Sequence, residues 1–230
     1  MPPQTSLVSL IVGASRGLGL GLAAELLARG RRVVGTVRHL DRRTGLHDLA
    51  DASEGRLEIE AVDITAPYQI ERLADHLKGR AVDILMINSG VGGVGADDFA
   101  QAFHRVMTTN VLGAMGALRA LSSFVADDGA IAVMSSGLGS VSGNTTGGWE
   151  PYRASKAALN QSLRSFAAEQ PTAPWSVTAV APGWVRTDMG GADAPLDVET
   201  SMRGVATVLE GRLGQRGCAF LDYKGDTVPW

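Results

Sequence analysis

The stretch VGASRGLGLG, residues 12–21, lies between a short apolar run and a longer segment of helical periodicity. The run Leu7–Val12 has the length of a buried strand, and Leu18–Arg29 has the spacing of a helix. Glycines between them let the backbone turn tightly and let a pyrophosphate approach the helix N-terminus. The stretch therefore predicts a strand, a dinucleotide-binding loop and a helix, although glycines in a turn can also serve shape alone.

The same alternation of apolar runs and helical segments continues through the whole chain. The predicted strands are Leu7–Val12, Arg32–Val37, Leu57–Ala61, Ile84–Ile87, Ala130–Met134, Ser176–Val180 and Cys218–Leu221. The predicted helices are Leu18–Arg29, a helix or loop up to about Ala52, about Gln69–Lys78, about Phe99–Phe124, Tyr152–Glu169 and about Val198–Glu210. Strands that are apolar throughout indicate burial on both faces. We expect an α/β fold, a doubly wound, mostly parallel seven-stranded sheet of the Rossmann type, in one domain spanning 1–230.

The composition limits the kinds of molecule that the protein is expected to bind. The net charge of −3 comes from interspersed acidic and basic residues, which gives no footprint for nucleic acid or anionic lipid. One cysteine and four scattered histidines exclude an internal disulfide and offer no metal cluster. Leu7–Val12 is too short to span a bilayer. We therefore expect a cytoplasmic protein without a membrane span, acting on a small molecule.

The segment PYRASKAALN, residues 151–160, begins a predicted helix and carries Tyr152 and Lys156 four positions apart. Residues at this spacing share one helix face, so the phenol and the ammonium can approach each other or a common ligand. A nearby cation is expected to lower the pKa of the phenol and make it useful in proton transfer. The alternative is that both are ordinary residues of a helix surface.

The spacing GxxxGxG, taken with YRASK, resembles the short-chain dehydrogenase/reductase family over nearly the whole chain. The resemblance implies four catalytic residues, which are Asn110 in TTNVLG, Ser136 in VMSSG, Tyr152 and Lys156. Tyr152 would donate a proton to the carbonyl oxygen, and Ser136 would hydrogen-bond the same oxygen. Lys156 would lower the pKa of the tyrosine and hold the nicotinamide ribose, and Asn110 would position a water that links Lys156 to solvent.

The same resemblance implies a set of cofactor-binding residues in the loops that follow the strands. The motifs are the glycine loop, DIT near the adenine, NSG after the fourth strand and PGWVRT beside the nicotinamide. Ser89 stands where the family usually has alanine, a change expected to be harmless. The implied residues are Gly13, Ser15, Arg16, Gly17, Leu18, Gly19, Arg38, Asp63, Ile64, Asn88, Ser89, Gly90, Tyr152, Lys156, Pro182, Gly183, Val185 and Thr187.

The end of the second strand bears on the choice between the two nicotinamide cofactors. Proteins that use NAD place a carboxylate there, whereas this chain has Val37 followed by Arg38. Arg16 lies in the glycine loop, and two guanidiniums can converge on one phosphate. We expect NADP(H) to be preferred and keep NAD(H) open, the alternative being that both arginines are solvated surface residues.

Within the family, NTTGGWEPYRASKAALN, PGWVRTDMGG and YKGDTVPW are most similar to the branch of the C-factor signalling proteins and the sniffer-type carbonyl reductases. The resemblance implies hydride transfer between nicotinamide and a carbonyl or alcohol substrate. The alternative is a signalling protein that uses the dinucleotide site as a sensor or scaffold. A catalytic segment 134–156 and a short lid about 184–200 are expected, with Trp149, Trp184 and Met189 as pocket walls or, equally, core residues.

Two further expectations concern the choice of serine and association. Ser136 is 16 residues before Tyr152 and Ser140 is 12 before it, and 12 is nearer the family's usual spacing. We favour Ser136, because a loop at Gly143–Gly148 can absorb extra residues while a strand end stays fixed. The family commonly pairs through its two long helices, and the small residues in GAMGALRAL would permit close packing, so we expect a homodimer or homotetramer.

Overall fold

The computed structural model describes residues 7–92 and 98–230. Its core is a seven-stranded sheet in the order β3-β2-β1-β4-β5-β6-β7, with every neighbouring pair parallel. The strands are β1 (Val8–Val12), β2 (Arg32–Val37), β3 (Leu57–Ala61), β4 (Val82–Ile87), β5 (Val125–Met134), β6 (Ser176–Ala181) and β7 (Gly217–Asp222). The expected doubly wound α/β fold is confirmed, and the sheet is parallel throughout.

Helices cover both faces of this sheet. They are α1 (Gly17–Ala28), α2 (Gly45–Asp51), α3 (Pro67–His76), α4 (Phe99–Met107), α5 (Ala114–Leu121), α6 (Glu150–Ala168) and α7 (Val198–Gly211). One apolar cluster joins α3, α5 and α6 to one face, and a second joins α1 and α7 to the other. Within β1, Leu10 belongs to the first cluster and Ile11 to the second. Alternate residues of a strand point to opposite faces, so a strand covered on both sides must be apolar at nearly every position.

Several element boundaries differ from the sequence-based expectation, and the two largest differences concern β5 and the long helix before it. β5 begins at Val125 rather than Ala130, and Val125 pairs with Val82 of β4. The long helix expected over Phe99–Phe124 is four segments, because a π-helical segment, Thr108–Gly113, separates α4 from α5 and a short 3₁₀ turn follows. A single widened turn of this kind often lies near a functional site.

The sheet topology assembles the loops that the sequence singled out. Since all strands are parallel, their carboxyl ends meet at one edge, where ligands bind in folds of this type. The glycine loop follows β1, Arg38 follows β2, Asp63 follows β3 and Ser136 follows β5. In residues 7–92 and 98–230, no helix is both long and apolar enough to cross a membrane.

Candidate active site

One large cavity of about 1180 Å³ opens at the carboxyl edge of the sheet. Its walls come from the loops after β1 to β6 and from the start of α6. The expected site residues that line it are Gly13, Ser15, Arg16, Gly17, Leu18, Arg38, Asp63, Ile64, Asn88, Ser89, Gly90, Ser136, Tyr152, Lys156, Pro182, Gly183, Val185 and Thr187. Gly19 and Asn110 do not line it. The cavity exceeds the usual size of a pocket for one drug-sized ligand.

The glycine loop is held against its neighbours with no space for side chains. Gly13 has φ +94, and a Cβ there would collide with Ser89. A Cβ on Gly19 would collide with the carbonyl oxygen of Gly13, so Gly19 serves close packing and not ligand contact. The amide of Asn88 donates to the Gly13 oxygen at 2.6 Å, and Gly13 N–H donates to the Thr36 hydroxyl at 2.9 Å. The loop is therefore fixed from both flanking strands.

This arrangement fits a dinucleotide, which is too large for most pockets but matches a glycine cradle at a helix N-terminus. The backbone of Gly17 faces the cavity, and a Cβ on it would reach to 3.8 Å from the methyl group of Thr187 on the opposite wall. α1 begins at Gly17, and its first backbone N–H groups have no partner within the helix. The residues present can thus hold a pyrophosphate between the loop and the segment after β6.

Asp63 is ionised at the adenine end expected for the cofactor. Burial alone would raise the pKa of this carboxyl, but the hydroxyl and backbone N–H of Thr65 donate to it at 2.7 and 2.9 Å. Arg38 adds a favourable charge, and the net result is a pKa below the usual value. Asp63 is therefore a charged acceptor at neutral pH, with an exposed guanidinium nearby.

Arg16 and Arg38, which are expected to converge on one phosphate, both line the cavity, and Arg16 has an acidic partner within the protein. Arg16 pairs with Asp188 across the cleft at 2.7 Å, and both side chains are about three-quarters exposed, at 74% and 79%. The sequence does not reveal this pair, because 172 positions separate its members. An ion pair so exposed contributes little, on the order of 1 kcal/mol or less, so Arg16 can exchange this partner for another anion.

Ser136, Tyr152 and Lys156 meet on one wall of the cavity. Tyr152 and Lys156 lie one turn apart in α6, and Lys156 Nζ is 5.7 Å from the centre of the tyrosine ring. The hydroxyl of Ser136, at the end of β5, lies beside the Tyr152 hydroxyl and favours its ionised form. Lys156 is buried, and its Nζ donates to the Met134 carbonyl at 2.8 Å. The end of β5 and the first turns of α6 thus bring the three side chains together.

The expectation of a lowered tyrosine pKa is wrong for this structure. Burial raises the pKa of Tyr152 above its ordinary value, and the hydrogen bond from Ser136 offsets only part of that effect. Burial also lowers the pKa of Lys156 to about 8. Both shifts have the same cause, since low polarity disfavours each charged form. At neutral pH Tyr152 is a phenol with a proton to donate.

Asn110 does not lie at the cavity wall. It is fully buried in the π-helical segment, where its amide oxygen accepts from Val91 N–H at 2.8 Å. Its amide nitrogen donates to the Val91 carbonyl at 2.9 Å and to the Ser155 hydroxyl at 3.0 Å. The side chain therefore clamps the loop after β4 to α6, and the expected water-positioning role of Asn110 stays a prediction.

The serines of the SSGLGS stretch separate clearly. Ser135 is buried and donates to Asn160 at 2.6 Å, and Ser140 is buried and accepts from Gly143 N–H at 3.0 Å. Ser140 is absent from the cavity lining, whereas Ser135 and Ser136 are both part of it, and the Ser135 hydroxyl is already bonded to Asn160. The strand end, and not the residue count to Tyr152, brings a serine to the cavity.

The three candidate wall residues are not core residues. Trp149, Trp184 and Met189 are 48%, 57% and 44% exposed, and all three line the cavity. Backbone bonds tie the proposed lid down, since Arg186 N–H donates to the Leu196 carbonyl at 2.8 Å. The expected lid, about 184–200, overlaps the first residues of α7, which begins at Val198.

Sequence reasoning missed several residues of the lining. Arg153 follows Tyr152 in the chain, and Thr36 precedes Val37 at the end of β2, so adjacency to a recognised motif could have found both. Thr109, Thr146, Tyr223 and Val228 lie within motifs quoted above for the family resemblance, but the motifs did not mark them as site residues. The missed residues include Thr36, Arg105, Thr109, Leu138, Thr146, Arg153, Tyr223 and Val228.

Comparison with known proteins agrees with this geometry. C-signal of Myxococcus xanthus is 39% identical over 158 residues, which cover 65% of this chain and 93% of that protein. A short-chain dehydrogenase/reductase structure from Burkholderia multivorans with bound NADP is 47% identical, with a TM-score of 0.95 over 98% of this chain and 100% of that one. The carbonyl reductase Sniffer of D. melanogaster is 29% identical, with a TM-score of 0.88 over 98% and 99%.

The family model for short chain dehydrogenases matches residues 7–195, which include the glycine loop, Ser136, Tyr152 and Lys156. This match covers most of the chain, and C-signal and Sniffer are among the similar proteins. The chain therefore belongs to the short-chain dehydrogenase family and is an oxidoreductase of that family.

Proposed function

We propose that the protein is a carbonyl reductase that prefers NADP(H), with Ser136, Tyr152 and Lys156 handling the carbonyl oxygen and its proton. The observation that carries the proposal is the meeting of these three side chains on one wall of the cavity that the glycine loop also lines. A protein that only bound a dinucleotide would need the loop but not the triad.

The cofactor would lie along the loops after the strands. Gly13 to Leu18 would hold its pyrophosphate, Asp63 and Ile64 its adenine end, and Asn88 to Gly90 would support the middle of the cleft. Pro182, Gly183, Val185 and Thr187 would border the nicotinamide end. When bound, the cofactor supplies the hydride, and the protein supplies orientation and proton handling.

The proton chemistry follows from the two pKa shifts. Tyr152 stays protonated at neutral pH because burial raises its pKa, so it can donate a proton to an oxygen that gains negative charge. Ser136 donates a second hydrogen bond to the same oxygen. Lys156, held beside the ring, favours the phenolate that remains after the proton has left.

A preference for NADP(H) rests on Arg38. Its exposed guanidinium follows Val37, so no carboxylate stands at the end of β2 to bind a free ribose hydroxyl. Arg16 reaches the same ligand only by leaving Asp188. The similar Burkholderia multivorans structure has NADP bound, which is consistent with this preference.

The remaining features of the proposal are the single domain, the partners and the location. Residues 1–230 form one oxidoreductase domain in the proposal, with the catalytic segment 134–156 and a lid at about 184–200. In this proposal the protein acts on a small carbonyl compound or alcohol. It assembles as a homodimer or homotetramer and works in the cytoplasm.

A signalling role is the second candidate, and the 39% identity to C-signal favours it. The two candidates separate in an assay of NADPH oxidation against a panel of aldehydes, ketones and quinones. Sustained oxidation with at least one of them supports the reductase. Tight NADPH binding without turnover of any panel member would favour a sensor or scaffold.

A further inference from the structure

The turn before α6 has a backbone that side chains rarely adopt. Gly147, Gly148 and Trp149 have φ +66, +71 and +54, so three successive residues are left-handed. Glycine adopts this region freely, whereas a residue with a Cβ is strained there. Trp149 is therefore held in place by its surroundings, and such enforced strain concentrates at functional sites.

Hydrogen bonds from one arginine hold the turn. Arg153 Nε donates to the Gly148 carbonyl at 2.9 Å, and its second terminal nitrogen donates to the Thr146 hydroxyl at 3.2 Å. The backbone N–H of Arg153 donates to the Trp149 carbonyl at 2.9 Å. Since Arg153 directly follows Tyr152, the turn is fixed relative to the catalytic tyrosine of the proposed function.

The result is an indole placed beside the Tyr152 ring. The two ring centres are 6.2 Å apart with the planes at 71°, an edge-on contact. About half of the Trp149 side chain stays exposed, and it borders the cavity. Core packing does not explain why a large aromatic side chain stays half exposed on a strained, left-handed backbone. A ligand that covers the indole would explain it.

A second indole limits the shape of that ligand. Trp184 borders the same cavity, is 57% exposed and is fixed by its Nε1, which donates to the Gly190 carbonyl at 2.7 Å. Met189 adds a polarizable thioether to the same wall, and thioethers make favourable contacts with aromatic rings. The substrate end of the cavity is thus rich in surfaces suited to a flat apolar ring.

We propose that Trp149 is a substrate-positioning residue, and that the left-handed turn Gly147–Trp149 and its Arg153 brace hold the indole where the ring of an aromatic carbonyl compound packs against it. The carbonyl oxygen of such a compound then lies beside the Tyr152 hydroxyl. This rests on the proposed reductase function and adds its substrate class.

The test compares a flat ring with its saturated counterpart. Benzaldehyde and cyclohexanecarbaldehyde are reduced by the wild type and by Trp149→Gly and Trp149→Phe, with KM and kcat measured separately. Glycine suits the left-handed backbone, so Trp149→Gly removes the indole without adding strain. The control is Glu54→Gly, because Glu54 also has φ +54 but is exposed and lies outside the cavity lining.

We expect Trp149→Gly to raise the KM for benzaldehyde by about three- to tenfold, the range of one lost aromatic contact. Its KM for cyclohexanecarbaldehyde should rise by a clearly smaller factor, because a saturated ring loses apolar contact area but no aromatic contact. Trp149→Phe should retain most of the preference, and Glu54→Gly should match the wild type. Equal changes for both aldehydes, or no change for either, would overturn the proposal.

Binding separates this inference from the reductase proposal. If the wild type reduces no carbonyl compound, the proposed function fails, and calorimetric titration of the NADP⁺ complex with the two aldehydes then decides the role of Trp149. A larger loss of affinity for benzaldehyde than for cyclohexanecarbaldehyde in Trp149→Gly supports the proposal. Equal losses for the two aldehydes, or equal binding by wild type and variant, refute it.

Discussion

Lys156 holds its ammonium 5.7 Å from the centre of the Tyr152 ring while it donates a hydrogen bond to the Met134 carbonyl. Both side chains lie where α6 contacts the turn that follows β5, and burial favours the neutral form of each. The proposed acid is thus a phenol that keeps its proton at neutral pH. The cation beside it acts once that proton has been transferred.

The pKa of Lys156 makes stability depend on pH. Its value of about 8 in the folded state lies below the 10.5 of an exposed lysine, so the unfolded chain binds more protons between these values. The free energy of unfolding should rise by about 2 kcal/mol between pH 8 and 10 through this group. Above pH 10, Tyr152 opposes the rise, because the folded state retains its phenol proton.

Urea unfolding of the wild type and of Lys156→Met at several pH values, followed by circular dichroism, checks this. Methionine has a similar length but does not titrate, so the free energy of unfolding of the variant should lack the rise. A rise of equal size in both proteins would show that other groups cause it.

The proposed role of Ser136 predicts a contrast between two nearby serines. Ser136→Ala should lower kcat by about ten- to a thousandfold, the range expected on losing one hydrogen bond to a developing oxyanion. Ser140→Ala should keep kcat and lose about 1 kcal/mol of stability, because its hydroxyl accepts from Gly143 N–H away from the cavity. Steady-state kinetics and thermal unfolding of the two variants test this. A loss of kcat in Ser140→Ala but not in Ser136→Ala would show that the serine of the loop contacts the substrate oxygen.

Recognition of the cofactor's extra phosphate should depend on Arg38. Arg38→Gln is expected to raise the KM for NADPH by at least about tenfold, with little effect on that for NADH, because one charge-assisted contact is lost. Asp188→Asn is the companion variant, since it frees Arg16 from an exposed ion pair of small value. It should change the KM for NADPH by less than about threefold. Equal effects of Arg38→Gln on both cofactors would exclude phosphate recognition.

Association is expected through the helical segments from α4 to α5 together with α6. Phe99 and Leu112 on these segments are 55% and 71% exposed, which favours burial against another copy. Light scattering at micromolar concentration should give the mass of a dimer or tetramer, and Leu112→Glu should shift it towards the monomer. A monomer mass for the wild type would contradict this expectation.

The fold was predictable because its central strands are apolar on both faces. β2 and β3 have the predicted bounds of Arg32–Val37 and Leu57–Ala61. The start of β5 was missed, because the acidic residues Asp127 and Asp128 resemble a loop and only pairing with β4 extends the strand across them. The π-helical segment was missed as well, since nothing in TTNVLG distinguishes it from an ordinary helix.

The residues that line the site were predictable where a family motif assigns them a role. Strand geometry favours Ser136 over Ser140, and of these two serines Ser136 alone lines the cavity. The partner of Arg16 could not be predicted, because Asp188 lies 172 positions away in the chain and only the fold brings the two loops together. The direction of the Tyr152 pKa was wrong, since the spacing to Lys156 shows the cation but not the burial that outweighs it.

Proton donation by Tyr152 is tested most directly by Tyr152→Phe, which keeps the ring and removes the hydroxyl. NADPH binding, followed by the change in its fluorescence, should stay near that of the wild type, while NADPH oxidation with a carbonyl substrate should fall by at least about a hundredfold. This combination would assign the proton transfer to Tyr152. Turnover close to that of the wild type, with NADPH still bound, would contradict it.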